Sequence, residues 1–328
     1  MEFVLIIIGF VLLIKSSDFF VDAATDIAKF FNISEIVIGA TIVSIGTTLP
    51  ETMVSVTSAI KGHGDIAYGN ALGSIICNTA LIAATTLVFA PGPVNKKSLK
   101  VPVIFFFFSY ALYVIFAVFF NGFNRISGLL LFSIFIIYVC YIIKTNMKLE
   151  EKTIEEIESN DKNSDNSMLV LKSIFMLVGA AIVIALASNL LVDNGTLIAR
   201  KFGVPESVIG LTLIAFGTSL PEFSTAITSI IKGHKNLSIG NVIGANFFNI
   251  VNVTGLAAIF SPFKIPVSKT INGINASLIV DIPLVLVVML ILCLPPLFKG
   301  KTEKWQGILL YIIYGLFLIY QFTFISHP

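Results

Sequence analysis

Charge is scarce in this chain of 328 residues. Asp, Glu, Lys and Arg together make up 12% of it against 56% hydrophobic residues, and the formal net charge is +2. That balance excludes an electrostatic footprint for nucleic acid and lies far outside the range of soluble globular domains. Histidine is equally rare, with three in all, and the three cysteines (Cys77, Cys140, Cys293) form no CxxC pair. A zinc site and a disulfide framework are therefore excluded, and all three cysteines read as buried free thiols. No HExxH or GxGD motif is present, nor a GxSxG with a partner histidine, so an intramembrane hydrolase lacks its machinery. Most telling is a local absence: residues 36–60, 66–90, 207–231 and 238–260 contain no Lys, Arg or His.

What the chain has is long apolar runs, each of about twenty residues, the length needed to cross a bilayer as a helix. Ten are expected: 2–28, 36–60, 66–90, 101–120, 125–144, 168–198, 207–231, 238–260, 272–297 and 305–325. The first run, Phe3–Ile14, has no basic start and continues through Lys15, Asp18 and Asp22. It reads as a span and not as a cleaved signal peptide.

Two stretches of this apolar sequence are copies of each other. Residues 39–78 and 210–249 are identical at 17 of 40 positions, enough to mark an internal duplication displaced by 171 residues. The most polar part of the chain, 145–167, falls between the copies and reads as a solvated, partly disordered linker. The expected domains are thus a first repeat, 1–144, the polar linker, 145–167, and a second repeat, 168–328. Five spans per copy is an odd number, so the second copy enters the membrane from the opposite side as an inverted repeat. The expected fold is an all-α membrane protein of ten transmembrane helices, two inverted five-helix repeats with proline-broken core helices. With both termini outside, thirteen lysines lie in inner loops and six Lys or Arg in outer loops. The positive-inside rule favours that orientation and makes the linker cytoplasmic.

Each copy carries a carboxylate inside an apolar span: Thr47-Thr48-Leu49-Pro50-Glu51 and Thr218-Ser219-Leu220-Pro221-Glu222. Pro50 has no N–H, so the carbonyl of Gly46 loses its helical donor and the helix is expected to break between Gly46 and Pro50. Carbonyls, hydroxyls and a carboxylate then gather at one point, since irregular backbone survives in a membrane only where it lines a cavity or finds partners. The next span supplies Asn70, Ser74 and Asn78, matched by Asn241, Ala245 and Asn249. Ser74 and Asn78 share one helical face. The spacings of Gly69 with Gly73 and Gly240 with Gly244 predict close helix approach. A charge at mid-membrane costs about 2.5–3.5 kcal/mol on insertion scales. With no base in their segments, Glu51 and Glu222 need a cation from solution or a proton. The oxygen-only donor set suits Ca²⁺, Na⁺ or Mn²⁺ better than zinc or copper, and Ca²⁺ better than Mg²⁺.

Outside this constellation the readings are plain. Asp18, Asp22 and Asp193 read as interfacial acids. His63 and His234, in equivalent Lys-Gly-His turns, read as solvated loop residues, with pH sensing as the sharper alternative. Asp281 is expected near a helix end or paired with a neighbour such as Lys15.

The motifs Gly46-Thr-Thr-Leu-Pro-Glu51 with Gly69-Asn-Ala-Leu-Gly-Ser-Ile-Ile-Cys-Asn78, and Gly217-Thr-Ser-Leu-Pro-Glu222 with Gly240-Asn-Val-Ile-Gly-Ala-Asn-Phe-Phe-Asn249, resemble the two alpha repeats of the sodium/calcium exchanger family within the calcium/cation antiporters. The resemblance extends over nearly the whole chain. It implies Na⁺/Ca²⁺ antiport across a cell membrane by alternating access, with Ca²⁺ and Na⁺ as transported ions, no cofactor, no enzymatic activity and no obligate protein partner. By matched position, Glu51 and Glu222 coordinate Ca²⁺ with Thr47, Thr218 and the carbonyls of Ser44 and Ala215. The same cluster, with Thr48, Ser74 and Ser219, holds Na⁺, while Asn78 and Asn249 line the centre. Two positions depart from prokaryotic relatives, which often carry serine at Ala245 and aspartate at Asn249. The alternatives are a proton-coupled Ca²⁺ exchanger, in which the glutamates cycle protons, and a passive channel.

Overall fold

The structure is a computed structural model and describes residues 2–157, 163–202, 215–266, 270–271 and 274–326. Its elements are almost entirely helical. In chain order they are α1 (Glu2–Phe30), α2 (Glu35–Thr47), α3 (Leu49–Ile60), α4 (Gly64–Phe89), α5 (Lys96–Phe120) and α6 (Arg125–Ile157). Then follow α7 (Asn163–Lys201), α8 (Ala215–Thr218), α9 (Leu220–Ile231), α10 (Lys235–Phe260), α11 (Ser277–Lys299) and α12 (Lys304–Ser326). Three antiparallel pairs of two-residue strands tie loops together; one joins Gly92–Pro93 to Lys301–Thr302. Among the described residues, seven helices are long and apolar enough to cross a membrane, or eight when the bent pair α2–α3 counts as one. Their outward faces carry Phe3, Ile7, Phe108, Phe119 and Phe175 in the open, as a protein solvated by lipid requires.

Two apolar clusters hold the helices together. The larger is built from α4, α5, α6, α10 and α11 around Tyr113, Tyr138, Phe106, Phe247 and Phe248. The smaller joins α1 to α7 through Leu13, Phe20, Ile27, Ile184 and Leu191, and meets α2 at Ile38 and Val43. α1 is pinned to the rest by polar contacts as well: Ser17 donates to Ser224 Oγ at 2.8 Å, and Lys232 reaches Asp22 at 2.8 Å and Asp18 at 3.6 Å. Asp18 and Asp22 are therefore surface ion-pair partners, and Asp193 is exposed.

Several expectations are corrected. The polar linker is helical wherever it is described: α6 runs on to Ile157 and α7 begins at Asn163. Its Glu and Lys residues are good helix formers, so two apolar helices simply continue into it. His234 is not a free loop residue; its Nδ1 lies 2.7 Å from Glu35 Oε1. Asp281, by contrast, lies near a helix end as expected, in the π stretch that opens α11; it accepts from Ser277 Oγ at 2.7 Å, and Ser277 in turn lies 2.7 Å from the Tyr68 hydroxyl. Cys77 and Cys140 differ as well: Cys77 is buried, whereas Cys140 is exposed on α6.

The glycine pairs divide unequally. A Cβ built at Gly240 would run into the Ile36 backbone, and one at Gly244 into Ala40. α10 thus lies backbone-to-backbone against α2, as small residues permit. At Gly69 and Gly73 no atom lies within 4 Å of such a Cβ among the described residues. The expected close approach is found for the second pair alone.

Candidate functional site

The helix break falls where proline demands it, one residue wide. Thr48 has φ −85° and ψ 4°, and its counterpart Ser219 has φ −91° and ψ 6°. Both sit in the sparsely populated bridge region, and α3 and α9 restart with Pro50 and Pro221 in their first turns, where a missing N–H is harmless. The axes of α2 and α3 differ by 46°. Glu51 and Glu222 follow in the first turns of α3 and α9.

A second irregularity lies opposite. α4 and α10 each pass through a π-helical stretch, Asn78–Ala83 and Asn249–Val253. Wider turns of this kind recur at functional sites. Both begin on the asparagine nominated from sequence. Nothing in the residue pattern announces a π turn; only the equivalence of Asn78 and Asn249 pointed to the place.

Glu51, Glu222, Asn78, Asn249 and Ser219 have no solvent-accessible surface, and Ser74 has 3%. Ten side-chain oxygen and nitrogen atoms of these six residues have no hydrogen-bond partner: four carboxylate oxygens, both amide atoms of each asparagine, and two hydroxyls. Buried polar groups are almost always satisfied, so this concentration marks a place built for something other than internal bonding. The carboxylates are near enough for the charge of Glu222 to act on Glu51, and Thr47 stands beside Glu222. Cys77 also borders the site, against Ser219. No cluster of three His, Cys, Asp or Glu exists among the described residues, so the charge available to a cation is the two glutamates and the remaining donors are neutral.

The other nominated residues are more engaged. The Ser44 carbonyl accepts the Thr48 N–H at 3.0 Å and also the Thr48 hydroxyl. Both of its lone pairs face Thr48 in this conformation, and Thr48's own proton is committed there. Ala215, equivalent to Ser44, opens α8. Thr47 Oγ1 donates to Asn241 Oδ1 at 3.2 Å, and Thr218 Oγ1 to Asn70 Oδ1 at 3.3 Å. Asn70 and Asn241 stand in the sequence beside the site residues, but without an assigned role. Their signal was present in the duplicated Gly-Asn dipeptides, but their partners lie 148 and 194 residues away, beyond any local pattern.

A buried, base-free cradle of oxygens between broken helices of a multi-pass membrane protein defines a cation transporter. The sodium/calcium exchanger protein model matches residues 1–144 and 172–323. Among curated proteins, the sodium/calcium exchanger MaX1 of Methanosarcina acetivorans is 33% identical over 98% of both chains. The inner membrane protein YrbG of Escherichia coli is 34% identical over 80% of each. A solved structure of the sodium-calcium exchanger NCX_Mj, soaked with Na⁺ and Sr²⁺, superposes with a TM-score of 0.80 at 30% identity over 97% of both chains. The chain belongs to the sodium/calcium exchanger family, and is a cation/Ca²⁺ antiporter.

Proposed function

We propose that this protein exchanges Na⁺ for Ca²⁺ at a single site between Glu51 and Glu222, by alternating access. The observation that carries the reading is the pair of fully buried carboxylates, neither with a hydrogen-bond donor and with no basic residue in their four segments. Desolvating an ion costs several kcal/mol even after relaxation. Two such charges facing one another are tolerable once a cation neutralises them. One Ca²⁺ does so, and so do two Na⁺. The empty site is too costly to reorient, which makes exchange obligatory and passive leak slow.

The ligand set follows from the same geometry. Glu51 and Glu222 supply charge; Thr47 and Thr218 supply hydroxyl oxygens; Ser74, Ser219, Asn78 and Asn249 line the remainder. Ser44 and Ala215 contribute carbonyls, the former once Thr48 turns away, which frees the Thr48 hydroxyl for Na⁺. The architecture is ten spans in two inverted halves, 1–144 and 168–328, joined by the cytoplasmic segment 145–167, with both termini outside the cell. Support comes from the shared offset of 171 residues, the matched backbone angles at Thr48 and Ser219, and the matched π turns.

The test is ⁴⁵Ca²⁺ uptake into proteoliposomes driven by an outward Na⁺ gradient. Uptake is expected in the parent and abolished in Glu51→Gln and Glu222→Gln. Uptake driven by a proton gradient alone, with Na⁺ inert, would replace sodium coupling by proton coupling. Full exchange in both variants would remove the site.

A further inference from the structure

We propose that Asn70 and Asn241 are positioning residues for this site, each taking the hydroxyl proton of the threonine supplied by the other half and so turning that oxygen's lone pairs toward the ion. The inference rests on the reading of Thr47 and Thr218 as ligands.

The direction of each hydrogen bond is fixed by its neighbours. Thr225 Oγ1 lies 2.8 Å from the Pro221 carbonyl and 3.0 Å from the Glu222 carbonyl, and these groups can only accept. The Thr225 hydroxyl proton is therefore spent on a carbonyl, and its oxygen must accept from Asn241 Nδ2 at 3.2 Å. The amide of Asn241 then has one orientation, with Oδ1 facing Thr47. An amide oxygen cannot donate, so the Thr47 proton points at Asn241. Glu222 also stands within reach of the Thr47 hydroxyl, so two acceptors compete for one proton; the Asn241 oxygen at 3.2 Å is the one that meets hydrogen-bond geometry, and with the proton held there the Thr47 lone pairs face the site. The other half reaches the same end by a different route. Asn70 Nδ2 donates to the Glu51 carbonyl at 3.2 Å and to Ser55 Oγ at 2.9 Å. The carbonyl is an obligate acceptor, so Asn70 Oδ1 must face Thr218.

Asn241 is 1% exposed, which keeps water from scrambling that relay. A threonine whose proton is free to rotate can satisfy a carboxylate and leave the cation one ligand short. A threonine held by an asparagine cannot. Because each asparagine serves the opposite half, the two halves must be correctly docked before the ligand oxygens are aimed.

The experiment measures half-saturating Ca²⁺ and maximal rate in reconstituted full-length protein. Thr47→Val, Asn241→Leu and the double variant form one cycle; Thr218→Val, Asn70→Leu and their double form the other. Each Leu variant is expected to raise half-saturating Ca²⁺ by about tenfold, the scale of one hydrogen bond. Each double variant is expected to be no worse than its Val parent, because an oriented oxygen that is missing needs no orienting. A purely structural role would instead add the two effects and would overturn the inference. Melting of each Leu variant in detergent separates a fold defect from the orienting role: a Tm near the parent's with raised half-saturation is expected, and a raised half-saturation found only together with a lowered Tm would overturn the proposal. If the Val variants alone leave half-saturation unchanged, the ligand reading has failed and not merely the orienting role.

Discussion

Replacing Glu51 by Gln should raise the thermal stability of the protein in cation-free buffer and lower it in Ca²⁺. In the absence of cations the parent holds two carboxyl groups with no accessible surface; each costs several kcal/mol while ionised, and a shared proton relieves part of that cost without removing it. Gln keeps the volume and removes one charge together with its repulsion on Glu222. For a chain of this size, 1 kcal/mol corresponds to roughly 2 °C in Tm, so the cation-free variant should melt about 5 °C higher. Ca²⁺ at a hundred times its Kd adds about 2.7 kcal/mol to the parent, again about 5 °C on the same scale. The variant gains little, because one carboxylate neutralises only half of the ion's charge. Melting curves of purified protein in detergent, with chelator in a sodium-free buffer or with saturating Ca²⁺, should therefore cross in rank. A variant less stable than the parent without cations, and still raised by Ca²⁺, would refute the claim that the glutamates are an uncompensated pair awaiting an ion.

Other outcomes follow from single contacts. Gly240→Ala would drive a methyl into the Ile36 backbone; overpacking of this kind costs about 1–3 kcal/mol, read as a lower Tm with slowed uptake. Lys232→Met removes the links to Asp22 and Asp18, but these groups are partly exposed, so the loss in stability should stay below about 1 kcal/mol. The carboxyl of Glu303, in the turn between α11 and α12, is held down at about 2 by hydrogen bonds from Trp305, Lys299 and Lys301. A depressed carboxylate keeps its contacts above the unfolded pKa and loses them as pH falls through the folded value. Fluorescence of Trp305, the one tryptophan, should stay constant from pH 8 to about 4 and change on further acidification, whereas Glu303→Gln should alter it at neutral pH. Ala245→Ser, at the counterpart of Ser74 and fully buried, should lower the Na⁺ concentration that competes with Ca²⁺ uptake while leaving Ca²⁺ half-saturation near the parent's.

Much of the site could be read before any coordinates, because the costs of burying charge and of proline in a helix are local facts. Glu51 and Glu222 had to be buried, and the break at Thr48 and Ser219 had to follow Pro50 and Pro221. What stayed hidden depends on long-range register. The asparagines at 70 and 241 look interchangeable in sequence, yet one is anchored by Ser55 and the other by Thr225. The positions equivalent to Ser55 and Thr225 are Ala226 and Val54, whose side chains cannot accept a hydrogen bond. The glycine pairs look alike too, but only Gly240 and Gly244 meet a facing backbone among the described residues. Helical continuation into 145–157 is masked in sequence by the charge density of that stretch, although its Glu and Lys are good helix formers. The partnership of His234 with Glu35 spans 199 residues and leaves no local trace.

These inequalities between near-identical halves have a common physical sense. A duplicated site with perfectly matched surroundings would favour neither face of the membrane. Here α10 is locked against α2 through Gly240 and Gly244, with Tyr138 donating to the Ala40 carbonyl at 2.9 Å. α1 and α7 form an apolar cluster of their own that meets the other helices at Ile38 and Val43 of α2, Leu237 of α10 and Leu220 of α9. These few apolar residues, with polar contacts such as Ser17 to Ser224 and Lys232 to Asp22, join the pair to the rest of the bundle. Interactions of that strength, of order 1 kcal/mol each, can be broken and remade at physiological temperature. The buried carboxylates cannot be left uncompensated so cheaply. If Glu51 and Glu222 hold the transported ion as proposed, the contrast between these separable contacts and a site that must be charge-balanced would make movement conditional on ion occupancy.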